Sequence, residues 1–193
     1  MAIEFELKFS ASAAQQAAIQ QTFALDYQTL RMQTTYYDTP DGALSARHIT
    51  LRRRMENDKS VCTVKTPVAG LGRGEWECLC ENIEEAIPML CKLGASRELI
   101  LLTALGVRPI CGARFTRLCG LVEYRGAVLE LALDSGMLYG GARESALCEV
   151  EVELKSGQPE DAMTFAQELA DRFGLKPEKK SKFRRALALA KGE

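Results

Sequence analysis

The sequence predicts an α+β fold in which about eight mostly antiparallel strands curl into a closed barrel. Three observations support this: strands that alternate between apolar and charged residues, short turn sequences typical of hairpins, and helical segments at the start, middle and end. The 193 residues fit one domain spanning 1–193, large enough to bury a core. With 47% hydrophobic and 26% charged residues, the composition is that of a globular chain.

The first half of the chain is predicted to form strands, with one helix after the first strand. Residues 3–9 alternate strictly, so Ile3, Phe5 and Leu7 share one strand face. A helix over about 13–22 follows, with Ser10 or Ser12 as its cap. Further strands are predicted over 30–38, 48–56, 60–66 and 73–81, with turns at 40–42 and 57–59, a short turn or helix over 43–47, and a flexible link at 70–72.

The second half predicts a helical region, a set of hairpins and two final helices. The segment 84–105 is helical in character, and Pro88 and Gly94 are expected to break it. Strands are predicted over 108–118, 120–124, 127–135 and 145–155, with a loop at 139–141. An apolar stripe predicts a helix from Gln158 to a stop at Gly174, and a last helix spans about 179–190.

The polar strand faces carry runs of like charge rather than the usual mixture of surface residues. The pattern of the first strand returns at 149–155, where three carboxylates and one lysine share a face. Across the strands, carboxylates are in excess over cations: Glu4, Glu6, Glu75, Glu77, Glu130, Asp134, Glu149, Glu151 and Glu153, against Lys8, Arg52, Arg54, Lys65, Arg73 and Lys155.

Two interpretations of these faces stay open. In the first, a curved sheet packs on helices and its charged face is solvated, as antiparallel sheets commonly allow. In the second, the charged faces line the lumen of the barrel, where like charges need opposite charges or bound ions between them. We favour the second because surface faces seldom hold runs of Glu or pairs of Arg.

A charged lumen with these residues indicates metal-assisted phosphate chemistry. The only histidine is His48, and the seven cysteines lack paired ligand spacing, which makes a zinc site a poor match. Oxygen ligands alone favour a hard cation, Mg²⁺ or Mn²⁺. Arg and Lys match phosphate oxygens, so the set suits phosphoryl transfer from a small-molecule triphosphate or polyphosphate.

An ordered set of motifs across nearly the whole chain resembles the CYTH superfamily, the triphosphate tunnel metalloenzymes, and most of all its bacterial inorganic triphosphatases. The motifs are Glu4-x-Glu6-x-Lys8, Tyr36-Tyr37-Asp38, Leu51-Arg52-Arg53-Arg54, Thr63-x-Lys65, Arg73-x-Glu75-x-Glu77, Glu130-x-Ala132-x-Asp134, Glu149-x-Glu151-x-Glu153 and Ser181-Lys182. The resemblance implies an eight-stranded tunnel that binds triphosphate.

The resemblance also implies roles for individual residues. The metal ligands would be Glu4, Glu6, Glu149, Glu151 and Glu153. The phosphate-binding residues would be Lys8, Arg52, Arg54, Lys65, Arg73 and Lys182, with Glu75, Glu77, Glu130 and Asp134 in support. The expected catalytic set is Glu4, Glu6, Lys8 and Lys182. The family supplies a further arginine from the sixth strand, and of Arg114 and Arg117 the spacing to Glu130 favours Arg117.

Three functions remain open from the sequence. The first is metal-dependent hydrolysis of inorganic triphosphate. The second is the same fold acting on an organic triphosphate, as a nucleoside or thiamine triphosphatase or a class IV-type adenylate cyclase. The third is a non-catalytic polyphosphate-binding module.

The totals also bound the partners and the compartment. A net charge of −1 argues against a broad nucleic-acid or membrane footprint. No signal peptide or membrane span is visible, and seven scattered cysteines fit reduced thiols in the cytoplasm. The oligomeric state is left open, although an exposed outer barrel face could support a dimer.

Overall fold

The computed structural model describes residues 2–3, 5–67 and 73–193, and for residues 2, 3 and 73 the backbone alone. The strands are β1 (Ala2–Ile3), β2 (Glu6–Ser10), β3 (Gln28–Asp38), β4 (Thr50–Glu56), β5 (Lys59–Pro67), β6 (Arg73–Leu79), β7 (Arg108–Tyr124), β8 (Ala127–Gly140), β9 (Arg143–Ser156) and β10 (Lys176–Pro177). The helices are α1 (Ala13–Phe23), α2 (Ala43–Ala46), α3 (Ile83–Lys92), α4 (Glu98–Leu102), α5 (Pro159–Phe173) and α6 (Lys182–Lys191).

The N-terminal segment joins the two edges of one antiparallel sheet, whose strand order is β1-β6-β5-β4-β3-β7-β8-β9-β2-β10. Ile3 pairs with Gly74 of β6, whereas Glu6 pairs with Glu153 of β9. Three residues span at most about 11 Å, so β6 and β9 must lie on either side of the N-terminal strand. The sheet therefore curls round into a barrel, as the sequence predicts, and the predicted first strand supplies both β1 and β2.

Two predicted breaks in the sheet are wrong. Strands expected over 108–118 and 120–124 form the single strand β7, because Gly120 marks close packing rather than a turn: a Cβ there would lie 2.9 Å from Leu25 Cβ. The loop expected at 139–141 begins later, since Tyr139 and Gly140 end β8. At Gly140 a Cβ would lie 2.4 Å from the Ala186 carbonyl oxygen, so glycine is needed where α6 crosses the strand.

The helices differ from their predictions at the ends and at Pro88. Ser12 rather than Ser10 caps α1, in a capping box with Gln15. Pro88 lies inside α3 without breaking it, because the buried face of that helix packs on the barrel and offsets the ~3 kcal/mol cost of an internal proline. The last helix begins at Lys182, since Ser181 caps it.

Apolar side chains form two clusters outside the barrel. One cluster packs α1 and α5 against β2, β8 and β9, with Ile19, Phe165 and Leu169 among its buried residues. The other packs α2, α3 and α4 against β4 and β5, with Leu51 and Leu90 fully buried. Within the described ranges, none of the helices is both long and apolar enough to cross a membrane.

A third apolar cluster lies inside the barrel, which the sequence did not predict. Its residues occupy the lumen-facing positions at one end of β3, β7, β8 and β9: Met32, Tyr36, Ala113, Phe115, Leu138 and Leu147. Helix α6 fills this end through Phe183, Ala186 and Leu187. The lumen is therefore charged over one part of its length and closed by an apolar helix contact at the other.

Candidate functional site

The charged part of the lumen is a cavity of about 630 Å³. Its walls combine cations and carboxylates from seven strands with the start of α6. The residues that line it include Glu6, Lys8, Arg52, Arg54, Glu56, Lys65, Glu75, Glu77, Arg117, Glu130, Glu151, Glu153, Lys155 and Lys182. Most of the predicted site residues therefore meet in one cavity, whose size suits a small molecule.

Strand order places two walls on opposite sides of this cavity. We call them the basic wall, with Arg52, Arg54 and Lys65, and the acidic wall, with Glu6, Glu130 and Glu153. Going round the barrel from β4, the strands β3, β7 and β8 precede β9 on one side. On the other side, β5, β6 and the N-terminal strand precede β9. Because β4 and β9 are equally far apart in both directions, Arg52 and Arg54 face Glu151 and Glu153 across the lumen.

The basic wall carries three cations, Arg52, Arg54 and Lys65, together with the carboxylates Glu56, Glu75 and Glu77. Glu75 receives both Arg52 Nη2 at 3.4 Å and Lys65 Nζ at 3.2 Å, so one carboxylate is shared by two cations. Among the described residues, Arg52 Nε is buried without a hydrogen-bond partner. Burial and the neighbouring Arg52 lower the pKa of the Arg54 guanidinium. Such a wall is suited to an anion that brings several oxygens.

A row of carboxylates lies on the facing wall near the open end. Glu6 pairs in register with Glu153, which pairs with Glu130 on its other side. Lys155 Nζ contacts Glu153 at 2.9 Å and Glu130 at 3.5 Å, while Lys8 Nζ lies 3.5 Å from Glu6. The row thus holds three lumen-facing carboxylates and two ammonium groups, an oxygen-rich surface suited to a hard divalent cation.

A second group of carboxylates is buried deeper, where α6 enters the barrel. Oxygens of Asp134, Glu149 and Glu151 lie within 4.8 Å of one another. Lys182 Nζ sits among them, at 2.8 Å from Asp134, 2.6 Å from Glu149 and 2.5 Å from Glu151. Arg117 binds Asp134 through two bonds of 2.7 and 2.8 Å and also contacts Glu151.

The pKa shifts in this buried group follow from burial and from the enclosed cations. Burial works to raise the pKa of the Glu151 carboxyl, but Lys182 and Arg117 hold it well below its usual range. Burial outweighs the neighbouring cations at Glu149, whose pKa is raised. Burial works to lower the pKa of Lys182, and the carboxylates Glu151 and Asp134 raise it instead. Lys182 is therefore a charged ammonium at neutral pH.

Sequence reasoning missed one cation of this group. Arg185 contacts Glu149 and lies 3.6 Å from Glu178. It is therefore a second cation, beside Lys182, that neutralises Glu149. Lys182 and Arg185 are three residues apart on α6, the spacing that places two side chains on one helix face. Applied to the sequence, that spacing from Lys182 identifies Arg185.

The structure separates the remaining predicted residues by position. Arg117 faces the lumen, whereas Arg114 is exposed and pairs with Glu144 at 3.2 Å. Asp134 and Glu149 lie behind Lys182 and are fully buried. Glu4 and the side chain of Arg73 lie outside the described residues.

The two carboxylate groups differ in how well they suit a metal ion. The three buried carboxylates already meet three cations, Arg117, Lys182 and Arg185, so a divalent ion would have to displace one of them. The row that contains Glu6, Glu130 and Glu153 faces the cavity and retains an excess of carboxylates among its described members. Metal-ligand chemistry therefore fits the row better than Asp134 and Glu149, while Glu151 belongs to the buried group and also lines the cavity.

Comparisons with known proteins agree with this architecture. An inorganic triphosphatase of Haemophilus influenzae is 33% identical over 174 residues, covering 86% of this chain and 49% of the relative, so the chain spans about half the relative's length.

Solved structures show the same fold at lower identity. A Bacillus halodurans protein described as an adenylate cyclase candidate has a TM-score of 0.65 and 18% identity, covering 95% of this chain and 96% of its own. A Hippeastrum protein described as having a dominant triphosphatase activity has a TM-score of 0.65 and 20% identity, covering 99% of this chain and 97% of its own.

A family model for the CYTH domain matches residues 2–187. The match spans the strands that build the cavity and the start of α6, which carries Lys182. This chain belongs to the CYTH domain family.

Proposed function

We propose that this protein hydrolyses inorganic triphosphate (tripolyphosphate) to pyrophosphate and phosphate inside the barrel, with Mg²⁺ or Mn²⁺ as cofactor. The observation that carries the proposal is a cavity of about 630 Å³ whose lining brings Arg52, Arg54 and Lys65 together with the carboxylates Glu6, Glu130 and Glu153. A triphosphate chain carries several negative oxygens along its length, so it matches a wall of Arg and Lys. The facing carboxylates suit the cation that accompanies such a substrate.

On this proposal, the basic wall binds and orients the phosphates. Arg52, Arg54 and Lys65 would donate hydrogen bonds to phosphate oxygens, and the buried Nε of Arg52 gains the partner it lacks. Glu75 holds Arg52 and Lys65 in place through its two ion pairs. Lys8 and Lys182 reach the cavity from the other side, where they would contact the phosphates from the acidic wall. Positioning and charge neutralisation are the main tasks in phosphoryl transfer.

The metal would be held by the cavity-facing carboxylates Glu6, Glu130, Glu151 and Glu153. When bound, it would neutralise charge on the phosphate oxygens. Glu149, which the sequence placed among the metal ligands, serves in this proposal to anchor α6 through Lys182 and Arg185. The Haemophilus influenzae relative supports the choice of inorganic triphosphate, because at 33% identity its description names that activity. All seven cysteines are free thiols, which fits the proposed cytoplasmic location.

A substrate panel tests the proposal. Purified protein is incubated with tripolyphosphate, ATP or thiamine triphosphate in Mg²⁺, in Mn²⁺ and after treatment with EDTA, and released phosphate is measured. We expect fastest release from tripolyphosphate and none after EDTA. Fastest release from an organic triphosphate, or formation of cyclic nucleotide from ATP, would contradict it. Calorimetry showing tight tripolyphosphate binding without hydrolysis in either metal would instead indicate a binding module.

Two neighbouring arginines of β4 provide a matched pair of variants for this assay. Arg52 lines the cavity, whereas Arg53 points away from it and donates to the Glu81 carbonyl oxygen at 2.9 Å. We expect Arg52→Gln to raise the KM for tripolyphosphate roughly tenfold or more. Arg53→Gln also removes one positive charge from β4, but on the side that faces away from the cavity, so it should leave KM unchanged. Equal effects of both changes would contradict binding in the lumen.

A further inference from the structure

The ammonium group of Lys182 is enclosed by carboxylates in this structure. It forms ion pairs with Asp134, Glu149 and Glu151 at 2.5 to 2.8 Å. Among the described residues, the contact with Glu151 Oε1 is a hydrogen bond, whereas Glu149 Oε2 has no hydrogen-bond partner. A phosphate oxygen in the cavity that Lys182 lines would compete with these ion pairs for the ammonium group.

Each of those carboxylates has a second cation. Arg117 binds Asp134 and Glu151, and Arg185 binds Glu149. A buried carboxylate that loses its last cation is strongly destabilised. With Arg117 and Arg185 in place, Lys182 can turn towards the lumen while each of the three carboxylates keeps one cation. Glu149 depends on this most, because it is fully buried and Arg117 does not contact it.

We propose that Lys182 is a movable phosphate ligand and that Arg185 is the positioning residue that allows it to leave Glu149. The inference depends on the proposed function, since it requires a phosphate substrate in the lumen. Arg185 itself does not line the cavity in the part of the chain that the structure describes, where it contacts Glu149, Glu178 and the Ala146 carbonyl oxygen. Without Arg185, Glu149 would retain Lys182 as its only cation and hold it away from the phosphate.

Kinetics of five variants, with Lys182→Met alone among them, test this coupling. We expect Arg185→Gln to lower kcat/KM for tripolyphosphate roughly tenfold. The same change made in a Lys182→Met background should cause no further loss, because Arg185 acts through Lys182. Glu149→Gln combined with Arg185→Gln should recover most of the loss, since a neutral amide does not retain the ammonium. Arg184→Gln, which removes an exposed cation from the same helix, should match wild type.

The variants separate coupling from a merely structural role. Additive losses in the Lys182→Met background, or no recovery in the double variant with Glu149→Gln, would overturn the proposal, as would wild-type kinetics for Arg185→Gln. If Arg185→Gln fails to fold, the double variant carries the test: it must fold and approach wild-type activity, and an inactive double variant overturns the proposal.

Failure of the proposed function is recognised separately. If the wild type binds tripolyphosphate without hydrolysing it, the proposed function fails. Dissociation constants of the same variants, measured by calorimetry, then decide the coupling by the same pattern of losses and recovery. A wild type that neither binds nor hydrolyses tripolyphosphate overturns both.

Discussion

Replacing Arg117 by Gln should destabilise the protein strongly, because it removes one cation from a balanced buried group. Asp134 is 0% exposed and Glu151 5%, and both bind Arg117. After the change, three carboxylates would share Lys182 and Arg185. Breaking a buried ion pair from one side costs about 3–5 kcal/mol. For a chain of this length, that corresponds to a fall in Tm of roughly 6–20 °C.

The matched control is Arg114→Gln on the same strand. Arg114 and Glu144 are 61% and 51% exposed, and the guanidinium also lies 5.5 Å from the Tyr139 ring centroid. Together, an exposed ion pair and an exposed cation–π contact contribute about 2 kcal/mol or less. Thermal unfolding followed by circular dichroism compares the two variants. If Arg117→Gln lowers Tm no more than Arg114→Gln, the charge balance inferred for the buried group is refuted.

Three further predictions concern the lumen and the thiols. Glu151→Gln should lower turnover of tripolyphosphate roughly a hundredfold or more while the circular dichroism spectrum stays native; activity that survives removes Glu151 from the metal site. Arg54→Gln should raise the KM for tripolyphosphate without lowering Tm, since burial and repulsion from Arg52 lower the Arg54 pKa and so disfavour its charged form; a lower Tm with unchanged KM would refute this. Burial raises the pKa of Cys62 and of Cys111 to about 12, so both thiols are protonated at pH 8. Both should therefore resist iodoacetamide in the folded protein and react with it in denaturant, as mass spectrometry of tryptic peptides would show. Rapid labelling of either in the folded state contradicts that prediction.

The alternating strands made much of the site predictable from the sequence. A strand with period two puts Arg52 and Arg54 on one face whatever the strand packs against. The same rule groups Glu151 with Glu153, and the repeated charged faces suggested that they share a lumen. The structure brings these residues together around one cavity.

Local rules failed where distant segments meet. A break was expected between 118 and 120 and a loop at 139–141, yet Gly120 and Gly140 are points of close approach by Leu25 and by α6. Pro88 was expected to break a helix that packing maintains. The spacing to Glu130 nevertheless favoured Arg117 over Arg114, and Arg117 is the one that lines the cavity.

The sequence alone determined the chemistry of the lumen, because the alternation of side chains along a strand is local. Only the tertiary structure decided how those charges divide. It placed α6 inside the barrel, so that Lys182 and Arg185 neutralise Glu149 and its neighbours while Glu6 and Glu153 stay at the cavity. A helix end and three strands meet there from distant parts of the chain, and no periodicity in the sequence encodes that meeting.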